Sequence, residues 1–360
     1  MTATVSSVSN PVAQDAHGQR DAGPHRAKIA VLGASGYSGQ EFTRLALVHP
    51  GLEIVALCSR ELAGQPAASM LPGLDARGAA LPDVMAPDAV AGLLHAGACD
   101  TVIACLPHGT WRSLTDATPA LGSSPARVID LSSDHRDGEG GYIYGLPEAF
   151  RTGITSAARI ANPGCYPTAA ALALLPALEA GWIAGPVMVS ALSGVSGAGR
   201  AASLRTSFAE LDGGAAMYKA GEVHPHVAEM ARTLASLGAA VPVGFVPHLV
   251  PMARGIVLTA SVLLDRAVSP DAAHAAYVAR YAGEPFVRVL ARGTWPETRT
   301  VRGSNRCDIA VTTLHGGTTL LATAALDNLV KGAAGQAIQN LNLMLAWPEA
   351  TGLPVHGTPW

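Results

Sequence analysis

Residues 28–39 read KIAVLGASGYSG, and they decide the fold of the first half of the chain. A β-branched and apolar run, 28–33, feeds into three glycines spaced by three, Gly33, Gly36 and Gly39, and residues 41–48 continue with helical composition. Strand, glycine turn and helix follow in that order. Glycine lets a backbone turn sharply and come close to an anion, and the helix N-terminus beyond offers unpaired N–H groups to a pyrophosphate. The spacing is GxxGxxG rather than GxGxxG, so the weight lies in its position on the first strand and at the start of the first helix. Gly33, Ser35, Gly36, Tyr37, Ser38 and Gly39 are therefore the expected cofactor-binding residues of this turn.

Outward from this turn, buried strands are predicted over 53–58, 101–106 and 128–131, with helix-length connections between several of them. Such alternation implies a parallel sheet covered on both faces. The pattern changes after about residue 161. Strands over 187–192, 243–247, 256–264, 308–313 and 318–324, the last two joined by a tight His315-Gly316-Gly317 turn, suggest an α+β unit with a mixed, largely antiparallel sheet. Residues 327–345 place apolar side chains at spacings of three and four, which predicts a C-terminal helix.

The 360 residues exceed what one core usually serves, so two domains are expected. Apolar residues make up 49% and charged ones 14%, enough to bury large surfaces. The net charge is −3 and no Lys/Arg run offers the stripe that nucleic acid needs. Residues 1–25 are small and polar, without the charged and apolar regions of a secretory signal, and are read as a disordered tail. Apolar stretches are broken by Pro or Gly well short of a membrane span. Five cysteines without a CxxC pair fit a reducing compartment, so a soluble cytoplasmic protein is expected.

Cys165 stands out among the thiols. It lies in NPGCYPT, residues 162–168, directly before a strongly helical run, and a helix N-terminus lowers a thiol pKa from about 8.5. Cys58, Cys99, Cys105 and Cys307 sit in apolar strand-like runs and read as small buried hydrophobes. A base for the thiol is available in Glu222-Val-His224-Pro-His226-Val-Ala-Glu229. No HExxH motif or Cys/His ligand set accompanies it, so no metal is expected. Ser59-Arg60 ends the second strand where NAD-binding chains place a carboxylate, and a guanidinium there pairs with a 2′-phosphate, which favours NADP. Pro107 and His108 end another strand beside the expected cofactor. Residues 193–200, SGVSGAGR, combine backbone N–H groups, hydroxyls and Arg200 into an anion site.

In order and spacing, GASGYSG, LPHG, YGLPE, ANPGCYPT, SGVSGAGR, FVPHLVPMARGI, GSNRC and DNLVKGAAGQAIQNLNLM resemble the N-acetyl-gamma-glutamyl-phosphate reductase family over residues 27–347. The resemblance implies a Rossmann NADP-binding domain over 26–161, completed by 328–360, and a catalytic and oligomerisation domain over 162–327. It implies Cys165 as nucleophile, His224 as acid/base and Glu229 as a supporting carboxylate. Ser193, Gly194 and Asn328 would lie near the nicotinamide, and Asn162, Ser196, Gly197 and Arg200 near an acyl-phosphate substrate. A homo-oligomer, dimer or tetramer, is implied too. On this expectation protonated His224 stabilises the oxygen of the reacting thioester. Three positions depart from the family pattern: Pro225 replaces Arg, Ser133-Asp134-His135-Arg136 replaces Ala-Asp-Phe-Arg, and Arg299 replaces Lys. The rival readings are a reductase of aspartyl or carrier-bound amino-adipyl phosphate, and a non-catalytic NADP-binding sensor.

Overall fold

The computed structural model describes residues 26–71, 73 and 81–358, so the expected tail, 1–25, lies outside the described residues. Its first sheet contains β1 (Ala27–Leu32), β2 (Leu52–Cys58), β3 (Val84–Met85), β4 (Thr101–Ala104), β5 (Arg127–Asp130), β6 (Ile143–Tyr144) and β7 (Arg159–Ala161). The order is β3-β2-β1-β4-β5-β7-β6, and every neighbouring pair is parallel. Alternate residues of β1 feed separate cores, Ile29 and Val31 on one face and Ala30 and Leu32 on the other, as a doubly covered sheet requires. The chain runs outward from β1 to β3 and then returns to β4 on the other side of β1. That reversal opens a crevice beyond the C-terminal ends of β1 and β4, the place where open α/β sheets bind ligands.

The second sheet holds β8 (Val187–Ser193), β9 (Ala216–Met217), β10 (Val243–Leu249), β11 (Ile256–Leu263), β12 (Val287–Val289), β13 (Cys307–Leu314) and β14 (Thr319–Leu326) in the order β12-β13-β14-β11-β8-β10-β9. Pairs β13-β14, β14-β11, β11-β8 and β10-β9 are antiparallel, while β12-β13 and β8-β10 are parallel. The mixed, largely antiparallel expectation holds. One face packs on the helix Cys165–Glu179, which is apolar and buried almost all round. Pro176 inside this helix cannot donate to the carbonyl of Leu172, and the buried Tyr281 hydroxyl supplies that bond at 2.5 Å.

Five short strands, β3, β6, β7, β9 and β12, escape sequence reading because two or three residues carry no usable period. The first helix, Tyr37–Leu47, starts four residues before residue 41, since Gly36 already serves as its N-cap. The expected helix over 327–345 is corrected as well. Residues Val330–Ala334 form a π-helical turn, and regular α-helix runs only over Gly335–Met344. Asp327 prevents an earlier start, because its carboxylate takes the N–H groups of Leu329 and Val330 at 2.9 and 3.3 Å. Ile338 and Leu341 of the C-terminal helix join Ile29 and Val31 in one core, so the end of the chain completes the first sheet's packing. No helix among the described residues is long and apolar enough to cross a membrane.

Candidate active site

The glycine turn lies at the switch point. Gly33 adopts φ +73°, and a Cβ there would stand 2.3 Å from the Cys105 carbonyl oxygen at the end of β4. A Cβ on Gly39 would stand 2.3 Å from the Gly33 oxygen, so both positions exclude any side chain. The first N–H groups of the following helix, on Tyr37, Ser38 and Gly39, have no intrahelical acceptors. Ser35 and Ser59 hydroxyls meet at 3.0 Å across the turn. A cleft of about 280 Å³ opens beside them, lined by Gly33, Ser35, Ser59, Arg60, Glu61, Leu106 and Pro107 among others. Glu61 is a cleft residue that sequence reading missed.

At the other end of the crevice, β7 leads through Asn162, Pro163 and Gly164 to Cys165, the first residue of its helix, with Gly164 as N-cap. The Gly164 N–H donates to Glu229 Oε1 at 2.8 Å. Tyr144 donates its hydroxyl to the same oxygen at 2.8 Å, and Arg136 Nη1 donates to Oε2 at 2.7 Å. Arg136 also donates from Nε to the Asn162 carbonyl at 2.9 Å. Glu229 thus braces the loop that leads into Cys165 rather than a histidine. The pair with Arg136 is buried, and breaking such a pair costs about 3–5 kcal/mol.

His224 caps the helix Pro225–Ser236, its Nδ1 accepting the His226 N–H at 3.1 Å. Pro225, one of the departures, occupies the first helical position, where its fixed φ favours the turn. With Nδ1 committed as acceptor, the neutral His224 ring carries its proton on Nε2. The ring lies among Tyr166, Tyr218, His226 and Phe245, with centroids 4.8–5.8 Å away. His226 borders the Cys165 loop directly: a Cβ on Gly164 would stand 2.6 Å from its Nε2. Its Nδ1 is buried and finds no hydrogen-bond partner among the described residues. His108, expected at the cofactor, is near enough that its charge would act on both rings, and its Nδ1 accepts the Ser133 N–H at 3.0 Å.

Burial pushes the Cys165 thiol up to about 11, against the lowering expected from the helix N-terminus. The nearby N–H groups and Arg136 act in the expected direction, but loss of water outweighs them although the residue keeps partial solvent access. Burial likewise holds His224 down to about 4 and His226 well below the usual imidazole range. At rest the thiol is therefore protonated and both imidazoles are neutral, so a protonated His224 would have to arise during turnover. The thiolate fraction at pH 7 is about 10⁻⁴ for such a thiol. Alkylation of Cys165 by iodoacetamide in the ligand-free protein should climb about tenfold per pH unit from 7 towards 11. Mass spectrometry of the Cys165 peptide measures it, and a plateau below pH 8 would sink this reading.

The residues expected near the nicotinamide do cluster. Asn328 accepts the Gly255 N–H at 2.7 Å and donates to the Ser196 hydroxyl at 3.0 Å. Gly197 lies against Ser193 Oγ, and a Cβ on Gly194 would strike the Arg254 backbone at 2.7 Å. Two residues expected at the substrate are held by other parts of the chain. Arg200 donates to the Ser35 carbonyl oxygen at 2.7 Å, on the glycine turn, because its loop reaches across to the first sheet. Asn162 is buried and bonds the Ala333 carbonyl and Asn340 at 3.2 and 3.1 Å, which commits its amide to the C-terminal segment. The remaining departures are locally satisfied. His135 pairs with Asp130 at 3.0 Å and stacks on Tyr142 at 4.1 Å, and Arg299 pairs with Glu297 at the surface. Arg254, also missed, bridges Asp327 at 3.0 Å and Glu41 on the first helix at 3.1 Å.

Residues 28–157 match the model of the semialdehyde dehydrogenase NAD binding domain, and residues 165–328 that of the semialdehyde dehydrogenase dimerisation domain. An N-acetyl-gamma-glutamyl-phosphate reductase of Halorhodospira halophila is 42% identical over 347 residues, covering 91% of this chain and 97% of the relative. The chain belongs to the N-acetyl-gamma-glutamyl-phosphate reductase family. A second such reductase, from Thermus thermophilus, is 42% identical over 359 residues, covering 91% and 99% of the two chains. At 16% identity the fold alone extends further, to aspartate semialdehyde dehydrogenase II of Vibrio cholerae, TM-score 0.69, and the Candida albicans aspartate semialdehyde dehydrogenase solved with NADP, TM-score 0.68. Each comparison covers 89% of this chain and 99% of that one. Members of this reductase family are oxidoreductases; Cys165 opens the second matched segment, and His224 and His226 lie within it.

Proposed function

We propose that this protein reduces N-acetyl-gamma-glutamyl phosphate to N-acetyl-glutamate 5-semialdehyde with NADPH, releasing phosphate, through a thioester on Cys165. One observation supports it above the rest: in a chain of this family, a thiol opens a helix from a loop braced by Glu229 and bordered by His226, whose ring packs on His224, both imidazoles being kept neutral by burial. Cys165 sulfur attacks the acyl carbon, and phosphate departs with the electron pair of the broken C–O bond. The thiol proton passes to a neutral imidazole, and His226, bordering Gly164, is the nearer to that loop. His224, fixed with its proton on Nε2, donates to the substrate oxygen as it gains charge.

The crevice fits a nicotinamide dinucleotide, with Gly33 to Gly39 for the pyrophosphate, Ser59 and Arg60 for the 2′-phosphate, Pro107 alongside, and Ser193, Gly194 and Asn328 towards the second sheet. When bound there, NADPH supplies the hydride that turns the thioester into an aldehyde. The domain division follows the same reading: 26–161 with 328–360 holds the cofactor, and 162–327 holds the chemistry. A second copy of this chain is the partner we propose for the outer face of the second sheet, where Met188, Leu192, Met217 and Leu263 are exposed.

The deciding assay is NADP reduction with N-acetyl-glutamate semialdehyde plus phosphate, compared with aspartate semialdehyde. Faster turnover of the aspartyl compound would replace the substrate, and no turnover of either would leave only a cofactor-binding protein. Arg60 carries the choice of NADP over NAD. A charge-assisted hydrogen bond contributes about 1.5–3 kcal/mol, so Arg60→Ala should weaken NADPH about 10- to 150-fold and leave NADH nearly unchanged. Titration of both cofactors measures this. Equal losses would transfer the assignment away from Arg60, and Glu61 in the same cleft would then favour a free ribose hydroxyl.

A further inference from the structure

The helix that carries Cys165 meets the C-terminal segment at one tight contact. A Cβ built on Gly332 would stand 2.7 Å from Cys165 Cβ and 3.2 Å from its Cα, closer than carbon atoms tolerate. Gly332 does not occupy the left-handed region, so its own backbone conformation does not demand glycine. The demand is the approach to the nucleophile. Gly332 is the middle residue of the π-helical turn Val330–Ala334, and π-turns inside helices are rare and concentrate at functional sites.

The turn is fixed from several sides. Its Gly332 N–H donates to the Asp327 carbonyl at 2.9 Å, and the Asp327 carboxylate holds Arg254. Beneath it, Lys331 is fully buried and donates from Nζ to Glu148 Oε1 at 2.6 Å and to Gln339 Oε1 at 2.8 Å. Burying a cation with its carboxylate partner is costly unless the geometry is good, and such a pair often adds little to stability. The proposed chemistry leaves both charges unused. The pair sits at Lys331, the residue directly before the glycine whose Cβ would strike Cys165.

We propose that the turn Val330–Ala334 seats the nucleophile: Gly332 sets where Cys165 stands, and the buried Lys331–Glu148 pair holds Gly332 against it. These are positioning residues, and the inference rests on Cys165 being the nucleophile. Gly332→Ala should lower kcat about 30-fold or more, since small displacements of a reacting group cost up to about 100-fold. It should also change the rate of Cys165 alkylation about fivefold at fixed pH, with the Kd for NADPH unaltered. Gly51→Ala is the matched control, because its Cβ would strike the Trp347 ring at 2.5 Å, an equally tight clash away from the thiol. It should lower Tm and leave alkylation alone.

Glu148→Gln, which keeps the shape and removes the charge facing Lys331, should shift alkylation as well, and it decides the matter alone if Gly332→Ala does not fold. Alkylation in both variants equal to that of Gly51→Ala would overturn the proposal. Cys165→Ser, assayed alongside, separates the two levels. Activity in that variant removes the nucleophile assignment itself, whereas an inactive Cys165→Ser beside a Gly332→Ala indistinguishable from Gly51→Ala removes only the seat.

Discussion

Cys165→Ser is expected to abolish turnover while NADPH still binds, and a rapid-quench burst of released phosphate should vanish with it. The thiol is pushed up to about 11 in the resting site, so even the native nucleophile needs a base, and a serine hydroxyl in the same surroundings starts further from ionisation. The glycine turn and the Arg60 cleft lie at the ends of β1 and β2, on different strands from the one that leads into the thiol loop, which is why cofactor affinity should survive. Loss of an essential nucleophile typically costs several powers of ten, so retention of more than about a hundredth of wild-type activity would refute covalent catalysis.

His224→Asn should lower turnover about 10²- to 10⁴-fold, the usual worth of acid–base assistance. Asparagine is a good N-cap, able to accept the His226 N–H in place of the ring, so the helix start should persist and the loss should be chemical. Part of the phosphate burst should remain while aldehyde release stalls. The pH profile is informative too. His224 takes up a proton only as pH falls through about 4, and that proton goes on Nδ1, which then loses the His226 N–H that fixes the ring; wild-type activity should fall on that acidic limb, and the variant, whose cap does not titrate, should lack it. His226→Asn should instead slow the burst itself. Should His224→Asn turn over near the wild-type rate, the oxygen donor would have to be sought elsewhere.

Much of this arrangement was legible in the sequence. The β1 strand and its glycines declare the first sheet because burial on both faces and a side-chain-free turn leave a compositional trace. Cys165 was legible for the same reason, with glycine before it and helix after it. The direction of its ionisation was not, because sequence shows the helix N-terminus but not the burial that outweighs it. The contacts of Arg200 and Asn162 were not legible because loop composition reveals which groups are polar and not which way the loop crosses. Arg136, Tyr144 and Arg254 went unassigned for a related reason: each acts on a residue far along the chain, Glu229 or Asp327, and no local period encodes a partner at such separation.

The return of the chain's end to the first core has a temporal meaning. Ile338 and Leu341 share a core with β1, and Gly332 abuts Cys165, so the site rests on contacts that one late segment makes with the start and the middle of the sequence. Without the segment from residue 330 the first sheet lacks one side of its core, and the thiol lacks the surface on which it rests. Contacts this distant along the chain form late, since loop closure must precede them. Competence for chemistry therefore waits on the segment from residue 330 folding back onto residues far earlier in the chain.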